Sequence, residues 1–237
     1  MIEPYYKDPD CDITIYCGDC LEVMKQIPDK SVDLVLTDPP YGIDYSRHIS
    51  NGIHSKIAND TTLNWLDNTL NNTNTLLKDN GSLYMFCSWH NVEVFKIAIN
   101  KFFEIRNMLI WNKQGNGMGD LTTTYGSIYE ICFYANRSPQ LLNGNRNCDM
   151  LTFSRSGNEL HPTQKPIDLI KFLISKSSNE TDLIMDCFLG SGTTAVACKQ
   201  LNRRCIGIEI SQKYCDIAIK RLKATPMSLF KQYVNNL

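Results

Sequence analysis

The sequence predicts an α/β fold in which a mainly parallel sheet is covered by helices on both faces. Three observations carry this reading. Short runs of β-branched and aromatic residues alternate with amphipathic stretches along most of the chain. A glycine turn separates one such strand from the helix that follows it. At one place two strands succeed each other with no helical stretch between them, which puts an antiparallel hairpin at one edge of the sheet.

Taken in order, DITIYCGD reads as a strand, LEVMKQI as a short helix and SVDLVLTD as the next strand. Residues 61–78 fit a helix whose Asn-rich surface is polar but still periodic, SLYMFCSW a strand, and VEVFKIAINKF a helix. NMLIWNK and SIYEICFYAN are the helix-free pair, divided by the glycine-rich KQGNGMGDLTTTYG. Residues 136–165 are polar, with few periodic apolar positions. Pro166 opens a helix, where a missing N–H costs little, and residues 167–177 continue it. TDLIMDCF, TTAVACKQL, RCIGIEI and QKYCDIAIKRL then give strand, helix, strand and helix.

A chain of 237 residues with 43% hydrophobic content is sized for one well-filled core, so a single domain spanning 1–237 is expected. The formal net charge of −1 gives no overall field for a polyanion, so nucleic-acid binding would rest on a local basic patch. No apolar run approaches membrane-spanning length, and the N-terminus MIEPYYKDPD lacks the basic-then-apolar pattern of a signal peptide. A soluble, cytoplasmic protein is expected. The ten cysteines lie largely within apolar segments such as MFCSW and AVACKQ, as buried free thiols do. Cys17 and Cys20 form a C-x-x-C, but no second pair completes a zinc site, and the four scattered histidines offer none, so no metal is expected.

Two motifs carry chemistry. In DCFLGSGTTA, residues 186–195, Gly190 and Gly192 allow backbone to approach a ligand, and the following helix start presents unpaired N–H groups. Glu209, ending the next strand, is placed to accept hydrogen bonds from ribose hydroxyls. Together they indicate a nucleoside-bearing cofactor. GSGTTA also satisfies the dinucleotide pattern, so a nicotinamide oxidoreductase competes, although no hydride-site constellation accompanies it. The second motif, LTDPPYGIDY (36–45), puts Asp38 at the carboxyl end of a strand. Pro39 and Pro40 stiffen the backbone and supply no N–H, so the Asp38 carboxylate and nearby carbonyls are expected to project as acceptors without internal donors. Tyr41 adds a flat face for a planar heterocycle, and acceptors beside an aromatic ring suit an exocyclic amine on a base.

TDPPYG, then HPTQKP (161–166), then MDCFLGSGTT resemble, in that order, the β group of DNA amino-methyltransferases, which modify adenine N6 or cytosine N4 with S-adenosylmethionine. The similarity extends to IYCGDCLEVM and GIEIS and covers most of the chain. The resemblance implies a Rossmann-like class I methyltransferase fold: a seven-stranded, mostly parallel sheet with an antiparallel edge hairpin and circularly permuted motif order. It implies S-adenosylmethionine as cofactor, DNA as substrate, and base flipping with direct transfer. Asp rather than Ser before P-P-Y leans towards adenine N6. Cytosine N4 on the same scaffold is the neighbouring reading, and a non-catalytic DNA-binding subunit is the alternative from another class.

Carried over by the resemblance, Asp38, Pro39, Pro40 and Tyr41 form the catalytic loop, with Asp38 also bordering the cofactor. Asp186, Phe188, Gly190, Ser191, Gly192 and Thr193 surround its methionine part, and Glu209 holds its ribose. Asp19 and Cys20 lie beside its adenine, while Thr163 and Lys165 close the pocket. Two departures stand out. Cys187 occupies the proline position of the family's D-P-F, which bears on loop rigidity. Only residues 137–160 are available for target recognition, too few for a separate domain, with Arg137, Arg146 and Arg155 as candidate DNA contacts. The loop after Tyr41 adds Arg47, His48, His54 and Lys56, of which Arg47, His48 and Lys56 are the stronger DNA-binding candidates. So small a reading surface implies a short target, a homodimer or a partner that supplies specificity.

Overall fold

The structure, a computed structural model, describes residues 2–42, 62–115, 122–123, 125–155 and 164–226, and the backbone of 46–48 and 54–56. The chain begins with β1 (Tyr6–Lys7), β2 (Ile13–Cys17), α1 (Cys20–Met24) and β3 (Val32–Thr37). A small antiparallel hairpin follows, β4 (Ser46–His48) and β5 (His54–Lys56). Next come α2 (Leu66–Leu76), β6 (Leu77–Cys87), α3 (Val92–Ile99), β7 (Glu104–Asn112), β8 (Tyr129–Asn136) and β9 (Met150–Thr152). The chain continues with α4 (Ile167–Ser177), β10 (Leu183–Asp186), α5 (Thr193–Gln200), β11 (Arg204–Glu209) and α6 (Gln212–Ala224).

One sheet runs β1-β2-β11-β10-β3-β6-β8-β7-β9. Strands β2, β11, β10, β3 and β6 are mutually parallel, and β8 is antiparallel to both β6 and β7. These seven are the strands expected from the sequence. Two short ones were not: β1 lies antiparallel to β2, and β9 lies parallel to β7, so the hairpin is flanked rather than terminal. Runs of two and three residues carry no periodicity to read. The helix expected over 61–78 also stops early, because Leu77 already pairs with Val32 in the sheet and Lys78 bonds Asp33 at 2.7 Å. At Gly81 a Cβ would lie 2.8 Å from the Leu77 side chain, so the irregular start of β6 needs a glycine.

Side-chain alternation along the strands feeds two cores. Leu34 and Leu36 of β3, Tyr84 and Phe86 of β6 and Ile184 of β10 face α4, α5 and α6. Val35, Leu83, Met85 and Met185 face the opposite way, onto α1, α2 and α3. A strand buried on both faces reads as a continuous apolar run, as VDLVLT and LIMD do. Among the described residues no helix is long and apolar enough to cross a membrane.

The N-terminal segment is tied to the helical layer by an ion pair out of water. Lys199 on α5 lies 3.0 Å from Asp8, with side chains 3% and 1% exposed, whereas the Lys25–Glu22 pair is 62% and 58% exposed. Lys199→Ala should therefore lower the unfolding free energy by about 3 kcal/mol by stranding a buried carboxylate. Lys25→Ala should change it by less than about 0.5 kcal/mol. Urea unfolding of the two variants checks the contrast, and equal effects would refute it.

Candidate active site

Four parallel strands end side by side, β2 at Cys17, β11 at Glu209, β10 at Asp186 and β3 at Thr37. After β10 the chain passes through α5 to β11 on one side, and after β3 it passes through α2 to β6 on the other. The gap between β10 and β3 is therefore a topological switch point, beyond which α/β sheets open a ligand crevice. Both sequence motifs sit there.

Asp186 joins them. Its Oδ1 accepts from the Thr37 hydroxyl at 2.9 Å and the Phe188 N–H at 3.1 Å, and its Oδ2 accepts from the Thr194 hydroxyl at 2.6 Å. Burial pushes its pKa up to about 6, against the pull of these donors. Gly190 and Gly192 then take φ of +54° and +85°, a region where a side chain is strained. At Gly192 a Cβ would come 2.6 Å from Ala218 Cβ, so the glycine also lets α5 approach α6. Arg221 of α6 holds the turn, donating to the Ser191 carbonyl at 2.6 Å, the Ser191 hydroxyl at 3.0 Å and the Thr193 hydroxyl at 3.1 Å. Phe188 is fixed edge-on by Trp65, with ring centroids 5.0 Å apart. Cys187 is buried, so the bend keeps its shape through packing and the Asp186 bond rather than a proline ring.

Glu209 faces the same edge. Its carboxylate accepts from the Gly190 and Ser211 N–H groups, both at 2.8 Å, while burial raises its pKa. Each oxygen retains lone-pair capacity for a hydroxyl donor. Gly18 N–H bonds the Glu209 carbonyl at 2.9 Å, which brings exposed Asp19 alongside. Asp19 caps α1 through Leu21 N–H at 2.8 Å. A positive-φ glycine turn, a half-buried acid and an exposed acid at adjoining strand ends fit a nucleoside-bearing cofactor. Cys20 points into the core, and burial raises its thiol pKa to about 11.

The catalytic candidates lie next door. Asp38 follows β3 directly, and the Tyr41 carbonyl is held by the Asn91 side-chain amide at 2.6 Å. The acceptors expected to lack internal donors do have them: the Tyr41 hydroxyl donates to Asp38 Oδ1 at 2.5 Å and Lys165 Nζ to Oδ2 at 2.5 Å. Prolines remove backbone donors, but side chains replace them, Tyr41 from within the same loop and Lys165 from 127 residues away. Lys165, 5% exposed, is also 3.0 Å from Glu130 Oε2, and Lys113 is 3.3 Å from Glu130 Oε1. Burial opposes the Lys165 charge, but Asp38 and Glu130 outweigh it and raise the pKa. Burial likewise works against Glu130, yet Lys165 and Lys113 bring its pKa down. At Asp38 burial wins and the pKa rises.

Glu130, Lys113 and Phe86 escaped the sequence reading. An acid inside the apolar run SIYEICFYAN was the available signal, since a buried carboxylate needs a partner. The three arginines separate. Arg137 is committed to Asn74 at 2.8 Å and Asp79 at 3.1 Å, at the sheet edge away from Asp38, so its expected DNA role gives way to a structural one. Arg146 is exposed next to Asn145, whose carbonyl binds Lys176 near the end of α4, at that same far edge. Arg155 is exposed beyond β9, whose end is anchored by Trp111 Nε1 donating to the Phe153 carbonyl at 2.8 Å, and β9 runs towards the Asp38 edge. The side chains of Arg47, His48, His54 and Lys56, and all of Thr163, lie outside the described residues. Among the described residues no cluster could hold a metal, and all ten cysteines are free.

The sequence matches the DNA methylase family over residues 32–147 and 143–220, which takes in the switch point and both motifs. The chain belongs to that family. It is 29% identical to the DNA adenine methyltransferase YhdJ of Escherichia coli strain K12, over 88% of this chain and 82% of that protein. It is 28% identical to the type II methyltransferase M2.MboI of Moraxella bovis, over 98% and 97%. Among solved structures, the M1.HpyAVI–SAM complex aligns with a TM-score of 0.68 at 26% identity, covering 89% of this chain and 99% of that one. The cytosine-N4-specific PvuII DNA methyltransferase aligns at 0.78 over 99% and 93%, a likeness of fold at 19% identity. This DNA methylase therefore has the class I α/β architecture expected of its motifs.

Asp186 gives a pH signature. Its folded pKa of about 6 exceeds the unfolded value near 4, so the native state binds the proton more tightly. Its contribution to stability must then fall as pH rises between those two values. Asp186→Asn, which keeps the size and one acceptor, should lose less Tm than wild type across that window. Parallel Tm–pH curves would contradict the assignment.

Proposed function

We propose that this DNA methylase transfers a methyl group from S-adenosylmethionine to the N6 amine of adenine in DNA. The observation that carries the reading is the Thr37–Asp186 bond, which joins the residue before Asp38 to the start of the glycine turn at one switch point. S-adenosylmethionine supplies an electrophilic methyl on a sulfonium, which needs no metal and no covalent enzyme intermediate. Glu209 and Asp19 are suited to the nucleoside hydroxyls and base, and the turn of Gly190, Ser191, Gly192 and Thr193 to the amino-acid portion. Thr163 and Lys165 border the same crevice in this reading.

The target amine is a weak nucleophile because its lone pair is delocalised into the ring. Asp38 and the Pro39 carbonyl accept its two N–H bonds, localise the lone pair and orient it, a preorganised electrostatic task. Pro39 and Pro40 keep those acceptors fixed. Tyr41 stacks on the base once it is flipped from the duplex. As the new N–C bond forms, the amine nitrogen becomes cationic. Asp38, with its raised pKa, takes the surplus proton and passes it to water.

Adenine is favoured by Asp38 before the prolines and by similarity to a DNA adenine methyltransferase. Exposed Arg155 at the active edge suits a phosphate contact, Arg47, His48 and Lys56 suit one by their position in the sequence after the catalytic loop, and exposed Arg146 suits a more distant one. With so few candidate contacts, a second copy of the chain or a partner subunit shares target recognition.

Incubating the protein with labelled S-adenosylmethionine and unmethylated DNA, then digesting to nucleosides, tests the reading. N6-methyladenine is expected. N4-methylcytosine would move the substrate to the other amine, and DNA binding without transfer would make the chain a non-catalytic subunit. Asp38→Ala should cut transfer by at least about two to three orders of magnitude, the scale of one lost preorganised acceptor. Cofactor affinity, measured by calorimetry, should stay near wild type. Substantial residual transfer would remove Asp38 from catalysis.

A further inference from the structure

The proposed chemistry needs an Asp38 oxygen to accept one amine N–H, yet both oxygens already accept from side chains. Tyr41 holds Oδ1 and Lys165 holds Oδ2, each at 2.5 Å. An amine N–H that takes the direction on Oδ2 now filled by Lys165 displaces the ammonium, and Lys165 is only 5% exposed, so water cannot readily receive it. A buried cation separated from its carboxylate is strongly unfavourable unless a second acceptor is at hand. Glu130 Oε2 is that acceptor. It is buried, lies 3.0 Å from Lys165 Nζ, and makes no aligned hydrogen bond. The rings of Phe86 and Tyr41, with centroids 5.0 and 5.7 Å from the ammonium, line its surroundings.

We propose that Glu130 is a positioning residue whose Oε2 takes over the Lys165 ammonium when the target amine displaces it from Asp38. The proposal rests on the methyl-transfer reading above. No proton moves in the exchange: Lys165 stays charged, its N–H turns from Asp38 to Glu130, and an amine N–H fills the vacated place. Lys113, 3.3 Å from Oε1, holds the other oxygen and keeps the carboxylate in register. Glu130 touches neither base nor cofactor in this scheme. It acts through Lys165, so its effect must vanish when Lys165 is gone.

The test uses full-length wild type, Glu130→Gln, Glu130→Asp, Lys165→Met and the Glu130→Gln/Lys165→Met pair. In E130Q, kcat near neutral pH should fall about tenfold, the scale of one charge-assisted contact, with little change in KM for S-adenosylmethionine. Lys165 loses one of its two carboxylates there, so it deprotonates at lower pH and frees Asp38. The ratio of E130Q to wild-type kcat should therefore climb as pH rises, which a packing defect would not produce. E130D should restore the wild-type profile, and the double variant should match K165M alone. Carbon-13 NMR of the lysine ε-methylenes should show Lys165 titrating lower in E130Q than in wild type.

An unchanged Lys165 titration, a loss independent of pH, or a double variant as impaired as the product of the singles would overturn the proposal. If E130Q does not fold, Glu130→Ala, which also removes the second acceptor, carries the titration and kinetic arms. Wild type that transfers no methyl to DNA, while Lys165 still responds to Glu130, would place the failure in the functional reading rather than in the ion pairing.

Discussion

The site depends on one buried carboxylate. Left without donors, Asp186 would be expensive to bury in its charged form, and it is satisfied only when three separate pieces of chain converge on it. Thr37 comes from the end of β3, Phe188 from the glycine turn and Thr194 from the first turn of α5. Meeting that requirement fixes the position of Asp38, one residue beyond Thr37, against the turn. The same carboxylate that would destabilise a disordered arrangement selects this one. Phe188, clamped by Trp65, and Ser191, clamped by Arg221, limit how far the turn can relax.

Charge is managed locally. Asp38, Glu130, Lys165 and Lys113 form a set of two acids and two bases whose formal charges balance among themselves. A methylase that flips a base benefits from this neutrality, because an excess of either sign would hold its counter-ion in the space the base must enter. A formal net charge of −1 provides no overall field for DNA, so in the proposed reading attraction rests on individual cations such as Arg155 at the active edge. Arg155 reaches that edge because β9 carries the chain along the side of β7, whereas Arg137 is left at the other end.

Much of this was legible from residues alone. The seven principal strands, the flanking helices and the reversed pair β7–β8 followed from periodicity and from the missing helix between NMLIWNK and SIYEICFYAN. Motif spacing and order indicated the cofactor turn and the D-P-P-Y loop. The short strands β1 and β9 were not legible, since a few residues held by an edge ladder leave no pattern. Nor was the Lys165 donor on Asp38, because it lies 127 positions away in the chain and only the tertiary fold brings it near. Glu130 gave a faint signal, an acid in an apolar strand, whose partners could not be guessed.

By itself the sequence determined the seven principal strands and the helices between them, because alternation and helical periodicity are local properties set by where apolar side chains recur. It also determined the rigid prolines and permissive glycines, whose backbone limits need no neighbours. Tertiary structure decided which charges meet. Strand order set β3 beside β10, and burial then made each ionisable group's behaviour depend on partners that no local window contains. Coulombic and desolvation energies act through space rather than along the chain.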